Sequence, residues 1–157
     1  EVESFGEFAK RNNAVASTDV KSFEHLICTE QLSRRLGFKV GEELIRVVRV
    51  RSLNGSARQV DHGYFLASIA KGLTPEIAAE SIYDYLEHKR GIKVMASRRT
   101  VSVELANDED CSYLDLGKYN CVAVMESQSY TSDGILFEVT HARTHPEIFH
   151  YRVNSKR

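Results

Sequence analysis

The chain has 157 residues, with 21 Lys and Arg against 22 Asp and Glu and a formal net charge of −1 at pH 7. Hydrophobic residues make up 42% and charged residues 27%, both near globular averages, which excludes bulk disorder. The balanced charge also excludes the global basic field that draws a protein to nucleic acid.

Capping and turn residues divide the first half of the chain into five predicted elements. In chain order these are a helix opened by the capping box Ser4-x-x-Glu7, a strand from about Thr18 to Cys28, a helix from Glu30 to Leu36, and two strands, Leu44 to Leu53 and Ser56 to Phe65. Thr29 is the predicted N-cap of the second helix, and Gly37 ends it. The turn Asn54-Gly55 predicts that the last two strands form a hairpin.

The second half adds helices and a second hairpin. Its predicted elements are a helical turn from 75 to 80, a helix from Ser81 to about Lys89, a strand from Lys93 to Leu105, a short acidic helix capped by Asn107 and running to about Leu116, a hairpin of Asn120 to Tyr130 and Ile135 to Arg143, and a final strand from roughly Ile148 to Val153. Adjacent strands joined by tight turns predict an α+β fold, with helices packed on a largely antiparallel sheet.

Signals for cofactors, metals and export are absent. The chain carries no glycine-rich nucleotide loop, no HExxH and no GxSxG, so no cofactor is predicted. His141, His145 and His150 cluster near the end without helical metal-ligand spacing, and we interpret them as polar surface, with a metal site as the alternative. An odd number of cysteines without a signal peptide or membrane span predicts a cytoplasmic protein with reduced thiols.

Two arginines lie in an otherwise apolar strand. Side chains alternate along a strand, so Arg49 and Arg51 share one face with Val47, while Val48 and Val50 occupy the other. Branched apolar residues on both faces predict a strand that is covered on both sides. Buried arginines need an anionic partner. That partner is either an internal carboxylate, such as Asp61 or Glu138, or a bound anion.

The predicted helix start at Ser81 offers the second half of an anion site. Free N–H groups at a helix N-terminus and a serine hydroxyl bind phosphate well, and two arginine side chains complement them. The alternative is that Ser81 is only an N-cap and Tyr83 only a core aromatic. Asp61 and Glu138 lie on strands, where they serve as sugar-hydroxyl acceptors, as a general acid and base, or as ion-pair partners.

An ordered series of short motifs spans most of the chain. It consists of Arg49-x-Arg51, Asn54-Gly55, Asp61-x-x-Tyr64-Phe65, Gly72-Leu73, Ser81-Ile82-Tyr83, Gly91, Asp133-Gly134 and Phe137-Glu138. This series resembles the effector-binding (UTRA) domain of the HutC branch of GntR-family transcription regulators. The resemblance implies a chorismate-lyase-like fold with about six mainly antiparallel strands and flanking helices. It also implies that residues 1–157 form one effector-binding and dimerisation domain, which follows a winged helix-turn-helix DNA-binding domain absent from this chain.

The resemblance also implies a site for a phosphorylated sugar. The residues it assigns to the phosphate are Arg49, Arg51, Ser81 and Tyr83; those for sugar hydroxyls are Asp61 and Glu138; and those of the segment that closes over the ligand include Phe5 and Gly6. Arg143 is a further candidate, although Arg143-Thr144-His145 departs from the family's usual ending of this strand. A strict two-residue hairpin would place Asp61 on the face opposite Arg49, so the site requires a β-bulge, which we place before Asp61.

Several functions remain open at this point. Within the family the sequence is most similar to trehalose operon repressors, so the first expected effector is trehalose 6-phosphate, with an amino-sugar 6-phosphate as the alternative. We expect a homodimeric ligand sensor that is not an enzyme and that meets operator DNA only through the DNA-binding domain. A chorismate-lyase-like enzyme and a purely structural dimerisation module are the alternatives.

Overall fold

The computed structural model describes residues 5–156, which form a six-stranded antiparallel sheet with the order β1-β2-β3-β6-β5-β4. The strands are β1 Ala16–Ile27, β2 Glu43–Leu53, β3 Ser56–Leu66, β4 Val94–Leu105, β5 Cys121–Thr131 and β6 Leu136–Thr144. The α-helices are α1 Phe5–Arg11, α2 Glu30–Leu36, α3 Pro75–Glu80, α4 Ile82–Asp84 and α5 Asp108–Tyr113. This architecture confirms the predicted α+β fold. No helix within the described residues is long and apolar enough to cross a membrane.

Local signals set the turns and helix ends. Asn54 and Gly55 have φ values of 49° and 80°, and two successive positive φ angles are what a tight two-residue hairpin requires. Thr29 caps α2 by accepting a hydrogen bond from the Leu32 N–H, and Gly37 ends that helix in the left-handed conformation. These predictions are confirmed. The predicted cap Ser4 lies outside the described residues.

Two predicted elements differ from the structure. The helix expected from Ser81 to Lys89 is α-helical only over Ile82–Asp84 and continues as a π-helical turn over Tyr85–Lys89. The final strand expected from Ile148 to Val153 is wrong. A 3-10 turn, Pro146–Ile148, occupies its start, because the fixed φ of proline and the bond from the Glu147 N–H to His145 Nδ1 favour a turn.

The sheet has two different faces. We call the face that carries Arg49, Asp61 and Glu138 the cleft face, since contacts of its side chains with Phe5, Ala78 and Tyr83 place α1, α3 and α4 over it. The opposite, far face is covered by α2 and α5. Cross-strand partners share a face, so the pairing of the strands assigns every residue of β2, β3 and β6 to one side.

Apolar clusters pack on both faces of β2, as the sequence predicts. Val47 belongs to the largest cluster, which also contains Ala78, Ile82 and Leu86 from the helical segments over the cleft face. Val48 belongs to a second cluster on the far face, with side chains such as Val50, Val60, Leu114 and Val124. The two arginines of β2 therefore lie in a strand that is covered on both sides.

Candidate functional site

A β-bulge positions the acidic and basic residues of the cleft. Arg51 pairs with Gln59 and Ser52 with Ala57, so Arg58 is an extra residue in β3. The extra residue shifts the register and makes Asp61 the direct cross-strand partner of Arg49. The bulge that the family resemblance requires before Asp61 is thus confirmed, and Asp61 faces the same cleft as both arginines.

Asp61 is the internal partner of both arginines. Its Oδ2 atom lies 3.5 Å from Nη2 of Arg49 and 3.5 Å from Nη1 of Arg51. All three side chains are largely buried, with 11%, 18% and 8% exposure for Arg49, Arg51 and Asp61. Burial lowers the pKa of the Arg49 guanidinium, while the charge of Asp61 opposes that shift. The sequence left open whether the arginines pair with an internal carboxylate or with a bound anion, and the structure shows the internal carboxylate Asp61.

The arginines retain further capacity for a ligand. Arg49 Nη1 donates to the carbonyl oxygen of Ala78, near the C-terminal end of α3, at 3.3 Å. Arg51 places its guanidinium carbon 4.8 Å from the centre of the Phe5 ring. The Nε–H group of Arg51 is buried and has no hydrogen-bond partner within the described residues. A buried unpaired donor costs free energy, so this group favours an additional acceptor in the cleft.

Ser81 stands between two helices. It follows the last residue of α3 and caps α4, where its Oγ accepts a hydrogen bond from the Asp84 N–H at 3.2 Å. Ser81 is therefore an N-cap, and this bond leaves the N–H groups of Ile82 and Tyr83 without a side-chain cap. Both residues line the same cavity as the two arginines.

The hydroxyl of the partly exposed Tyr83 reaches the buried carboxyl of Glu138. Tyr83 Oη donates to Glu138 Oε1 at 2.7 Å, and Ser129 Oγ lies 3.4 Å from the same oxygen. Glu138 is only 2% exposed, and this burial raises its pKa to about 7, although Tyr83, Arg49 and Ser129 act to lower it. Burial also raises the pKa of Tyr83. Burial thus favours the neutral form of Glu138.

A cavity of about 350 Å³ opens beside the arginines. Its lining residues come from α1, β1, β2 and the junction of α3 and α4; they are Gly6, Ala16, Ser17, Thr18, Arg49, Arg51, Ala79, Glu80, Ser81, Ile82 and Tyr83. The volume is at the low end of the range of about 300–1,000 Å³ for small-molecule sites. Asp61 and Glu138 lie behind this lining, against the arginines and Tyr83.

Arg143 does not lie in the cleft. It pairs with Val60 on the far face, where its guanidinium donates to both carboxylate oxygens of Asp110 at 2.8–3.0 Å. The Asp110 side chain is fully buried and also accepts from the Asn107 N–H in the capping box of α5. Arg143 therefore joins α5 to β6 in this structure.

Of the three histidines expected on a polar surface, His150 is exposed, whereas His145 is buried and His141 is half-buried. His145 is 2% exposed and its ring packs edge-on against Tyr119. His141 is half-buried on the far face, and burial lowers its pKa. Within residues 5–156, no group of three or more His, Cys, Asp or Glu side chains is arranged to hold a metal ion.

Sequence reasoning missed three features of the site region. Gln59 Nε2 donates to Asp61 Oδ1 at 2.6 Å, and Ser129 contacts Glu138. The i, i+2 spacing of Gln59 and Asp61 is the only local signal of the first contact. The third feature is the edge strand β4, whose Val101, Val103 and Leu105 are 40%, 73% and 76% exposed.

Two transcriptional regulators of known name are similar to nearly the whole chain. The HTH-type transcriptional regulator TreR of Bacillus subtilis (strain 168) is 28% identical over 148 residues, covering 94% of this chain and 62% of the regulator. The HTH-type transcriptional repressor NagR of the same organism is 23% identical over 141 residues, covering 90% of this chain and 57% of the repressor. The chain thus spans about three fifths of the length of these relatives.

Solved structures and a family model agree with these relatives. The effector-binding domain of the B. subtilis trehalose repressor has a TM-score of 0.81 and 27% identity, covering 90% of this chain and 98% of that domain. PhnF from Mycobacterium smegmatis has a TM-score of 0.86 at 18% identity, covering 99% and 69% of the two chains, and supports the fold alone. The predicted chorismate-lyase-like fold is confirmed. The model described as the UTRA domain matches residues 11–150, and the chain belongs to the UTRA domain family.

Proposed function

We propose that this chain is the effector-sensing part of a HutC-type GntR regulator and binds a phosphorylated sugar, with trehalose 6-phosphate as first choice. The observation that carries the proposal is the buried Arg49 and Arg51 pair, whose unpartnered Arg51 Nε–H lies beside a cavity that Ser81 also lines. A phosphoryl group supplies several acceptor oxygens to such a donor set. In the full-length regulator, binding would control a DNA-binding domain that precedes this region.

The charge balance of the cleft favours a bound anion. Two guanidinium groups face one Asp61 carboxylate, and the second acid, Glu138, has a pKa of about 7. The two guanidinium groups therefore share one close carboxylate, and Glu80, the acid of the cavity lining, is exposed to solvent. Buried charges are stable when they are paired, so an anionic ligand completes the cluster.

The choice of trehalose 6-phosphate rests on similarity. The matched regulators include the B. subtilis trehalose repressor, whose effector-binding domain is 27% identical to this chain. An amino-sugar 6-phosphate is the alternative for the same anion site, because the phosphate contacts are shared and only the sugar contacts differ. These two ligands share the required phosphomonoester.

Phe5 provides a route from the ligand to the rest of the regulator. Its ring packs on Arg51 and, with Ala9 and Leu53, anchors α1 to the sheet. A phosphate that draws Arg51 into the cavity changes this contact and therefore the position or order of α1. Differential affinity of the ligand for two arrangements of α1 would shift their populations and alter operator binding.

We further propose that two copies pair through the edge strand β4. Antiparallel pairing centred on Val101 places the two copies of Val101 side by side, Arg98 opposite the partner subunit's Glu104, and Val103 opposite the partner subunit's Arg99. Val101→Lys puts two like charges at the two-fold axis, so we expect sedimentation velocity to show monomers. Met95→Lys, at an exposed position outside the paired centre, is the control and should remain dimeric.

Calorimetry tests the effector site directly. We expect trehalose 6-phosphate to bind the unmodified protein, and Arg49→Ala and Arg51→Ala each to weaken binding by roughly 2–4 kcal/mol. Arg46→Ala removes an arginine of the same strand that pairs with Glu24 on the far face, and it should bind normally. Unchanged affinity in both cleft variants would show that the anion site lies elsewhere.

The proposed protein is a sensor and not an enzyme. Its matched relatives are transcriptional regulators. A regulator of DNA acts where the DNA is, so we propose a cytoplasmic protein. Incubation of the domain with candidate phosphosugars should yield no product by mass spectrometry, and product formation would favour the enzyme alternative.

A further inference from the structure

Thr18 lies on the side of the cavity opposite the helices. It belongs to the edge strand β1, is the direct cross-strand partner of Arg51, and lines the cavity with Ala16 and Ser17. Cross-strand partners project from the same face, so the Thr18 side chain shares the cleft face with Arg51. The cavity therefore has a wall of strand residues opposite Ser81.

The Thr18 hydroxyl is available to a ligand. Among residues 5–156, no hydrogen bond to its side chain is present. The two acids of the cleft are different, since Asp61 already contacts both arginines and Gln59, and Glu138 accepts from Tyr83. A ligand reaches those acids only by replacing existing bonds, whereas it reaches Thr18 by replacing solvent.

The direction of the arginines indicates which part of a ligand meets Thr18. Both guanidinium groups contact Asp61 on β3, and Arg49 also donates to the Ala78 carbonyl of α3. A phosphoryl group held by Arg49, Arg51 and the Ser81 region therefore lies over β2, since the cavity lining includes residues of β1 and β2 but, among the described residues, none of β3. The remaining cavity extends toward β1, and the non-phosphorylated part of the ligand occupies it.

We propose that Thr18 is a further effector-binding residue, whose hydroxyl bonds to a sugar hydroxyl and so contributes to the choice of sugar. This inference rests on the proposed binding of a phosphosugar. A polar group that pairs with a ligand hydroxyl discriminates against ligands lacking it, because the protein group is then left unpaired. Thr18 thus acts on the sugar, and the arginines act on the phosphate.

Thr18→Val tests the proposal, because it removes the hydroxyl while keeping the shape and the β-branched side chain. The reference ligand is the phosphosugar that the unmodified protein binds best among trehalose 6-phosphate, glucosamine 6-phosphate and N-acetylglucosamine 6-phosphate. We expect Thr18→Val to lower the affinity for it by about three- to tenfold. Binding of inorganic phosphate, followed by NMR titration, should be unchanged. Thr18→Ser should restore most of the affinity. Thr140→Val, on the cleft face but outside the cavity lining, is the matched control.

The outcomes separate this inference from the function beneath it. If the unmodified protein binds a phosphosugar and Thr18→Val binds it equally well, the role of Thr18 is wrong and the proposed function stands. Equal weakening of phosphosugar and inorganic phosphate would place Thr18 at the phosphate and overturn the sugar assignment. If the unmodified protein binds none of the three phosphosugars, the proposed ligand class is wrong and the inference falls with it.

Discussion

Arg49 and Asp61 lie directly opposite each other on β2 and β3, with Arg49 Nη2 3.5 Å from Asp61 Oδ2. The extra residue Arg58 produces this pairing, since a hairpin without the bulge would turn Asp61 to the far face. The separation is long for a charged hydrogen bond, which is typically about 2.7–2.9 Å. Asp61 thus balances the charge of Arg49 while leaving the arginine free to approach a closer anion.

Asp61→Asn should make the cleft bind anions more tightly and the protein less stable. The substitution removes the carboxylate that balances Arg49 and Arg51, and leaving buried charges without a partner costs about 3–5 kcal/mol. Urea unfolding should show that loss, and saturating inorganic phosphate should restore part of it. Asp19→Asn, at an exposed ion pair with Lys21, is the control. Weaker phosphate binding by Asp61→Asn would contradict this account.

Glu138 should make stability fall as the pH rises. Its pKa in the folded protein is about 7, above the ordinary value of 4.5, so the folded state holds a proton that the unfolded state has released between these pH values. The stabilisation from the neutral carboxyl is therefore complete below about pH 4.5 and lost as the pH rises through 7. The expected size is roughly 3 kcal/mol of unfolding free energy.

Glu138→Gln isolates this contribution. The groups that face Glu138 are Tyr83, Ser129, Arg49 and Asp61, and all remain in the variant. The difference in unfolding free energy between the two proteins, measured in urea from pH 4 to 8, should shift in favour of the variant as the pH rises. A difference that is constant over this range would show that Glu138 titrates normally.

Tyr83→Phe should raise the pH at which Glu138 loses its proton. The Tyr83 hydroxyl donates to the Glu138 carboxylate at 2.7 Å and so acts to lower the pKa of that acid. Without the hydroxyl, the charged carboxylate loses a donor and protonation is favoured. The carboxyl stretching bands of isotopically labelled protein, followed by infrared spectroscopy against pH, report the midpoint directly. A midpoint below that of the unmodified protein would contradict the assigned direction of this bond.

The predictable parts of this molecule are those encoded in adjacent residues. Alternation along Ile45 to Leu53 and the Asn54-Gly55 turn predict the central hairpin, and the cap Thr29 predicts α2, because each depends on a few neighbouring side chains. The bulge before Asp61 followed from the family resemblance, which implies that this acid and the two arginines share one site and therefore one face. Its position at Arg58 depends on pairing with β2 and is seen only in the structure.

The unpredicted parts depend on partners distant in sequence. Arg143 is held by Asp110, which is 33 residues earlier and lies in a capping box that by itself signals only a helix start. The prediction of a final strand from Ile148 to Val153 was wrong, because His145 is buried against Tyr119 and the following proline begins a 3-10 turn. Alternating polar and apolar residues near the chain end did not distinguish a strand from this packed turn.

Arg143→Met should therefore destabilise the fold without lowering the affinity for the effector. The substitution keeps a long apolar side chain but removes the guanidinium that pairs with the fully buried Asp110 carboxylate, which then keeps the Asn107 N–H as a hydrogen-bond donor, at a cost of about 3 kcal/mol. Asp110→Asn in the same background removes the orphaned charge and should recover part of the stability, as a double-mutant cycle would show. Phosphosugar affinity, measured well below the unfolding temperature, should equal that of the unmodified protein. Loss of phosphosugar affinity with unchanged stability would instead indicate that Arg143 binds the effector.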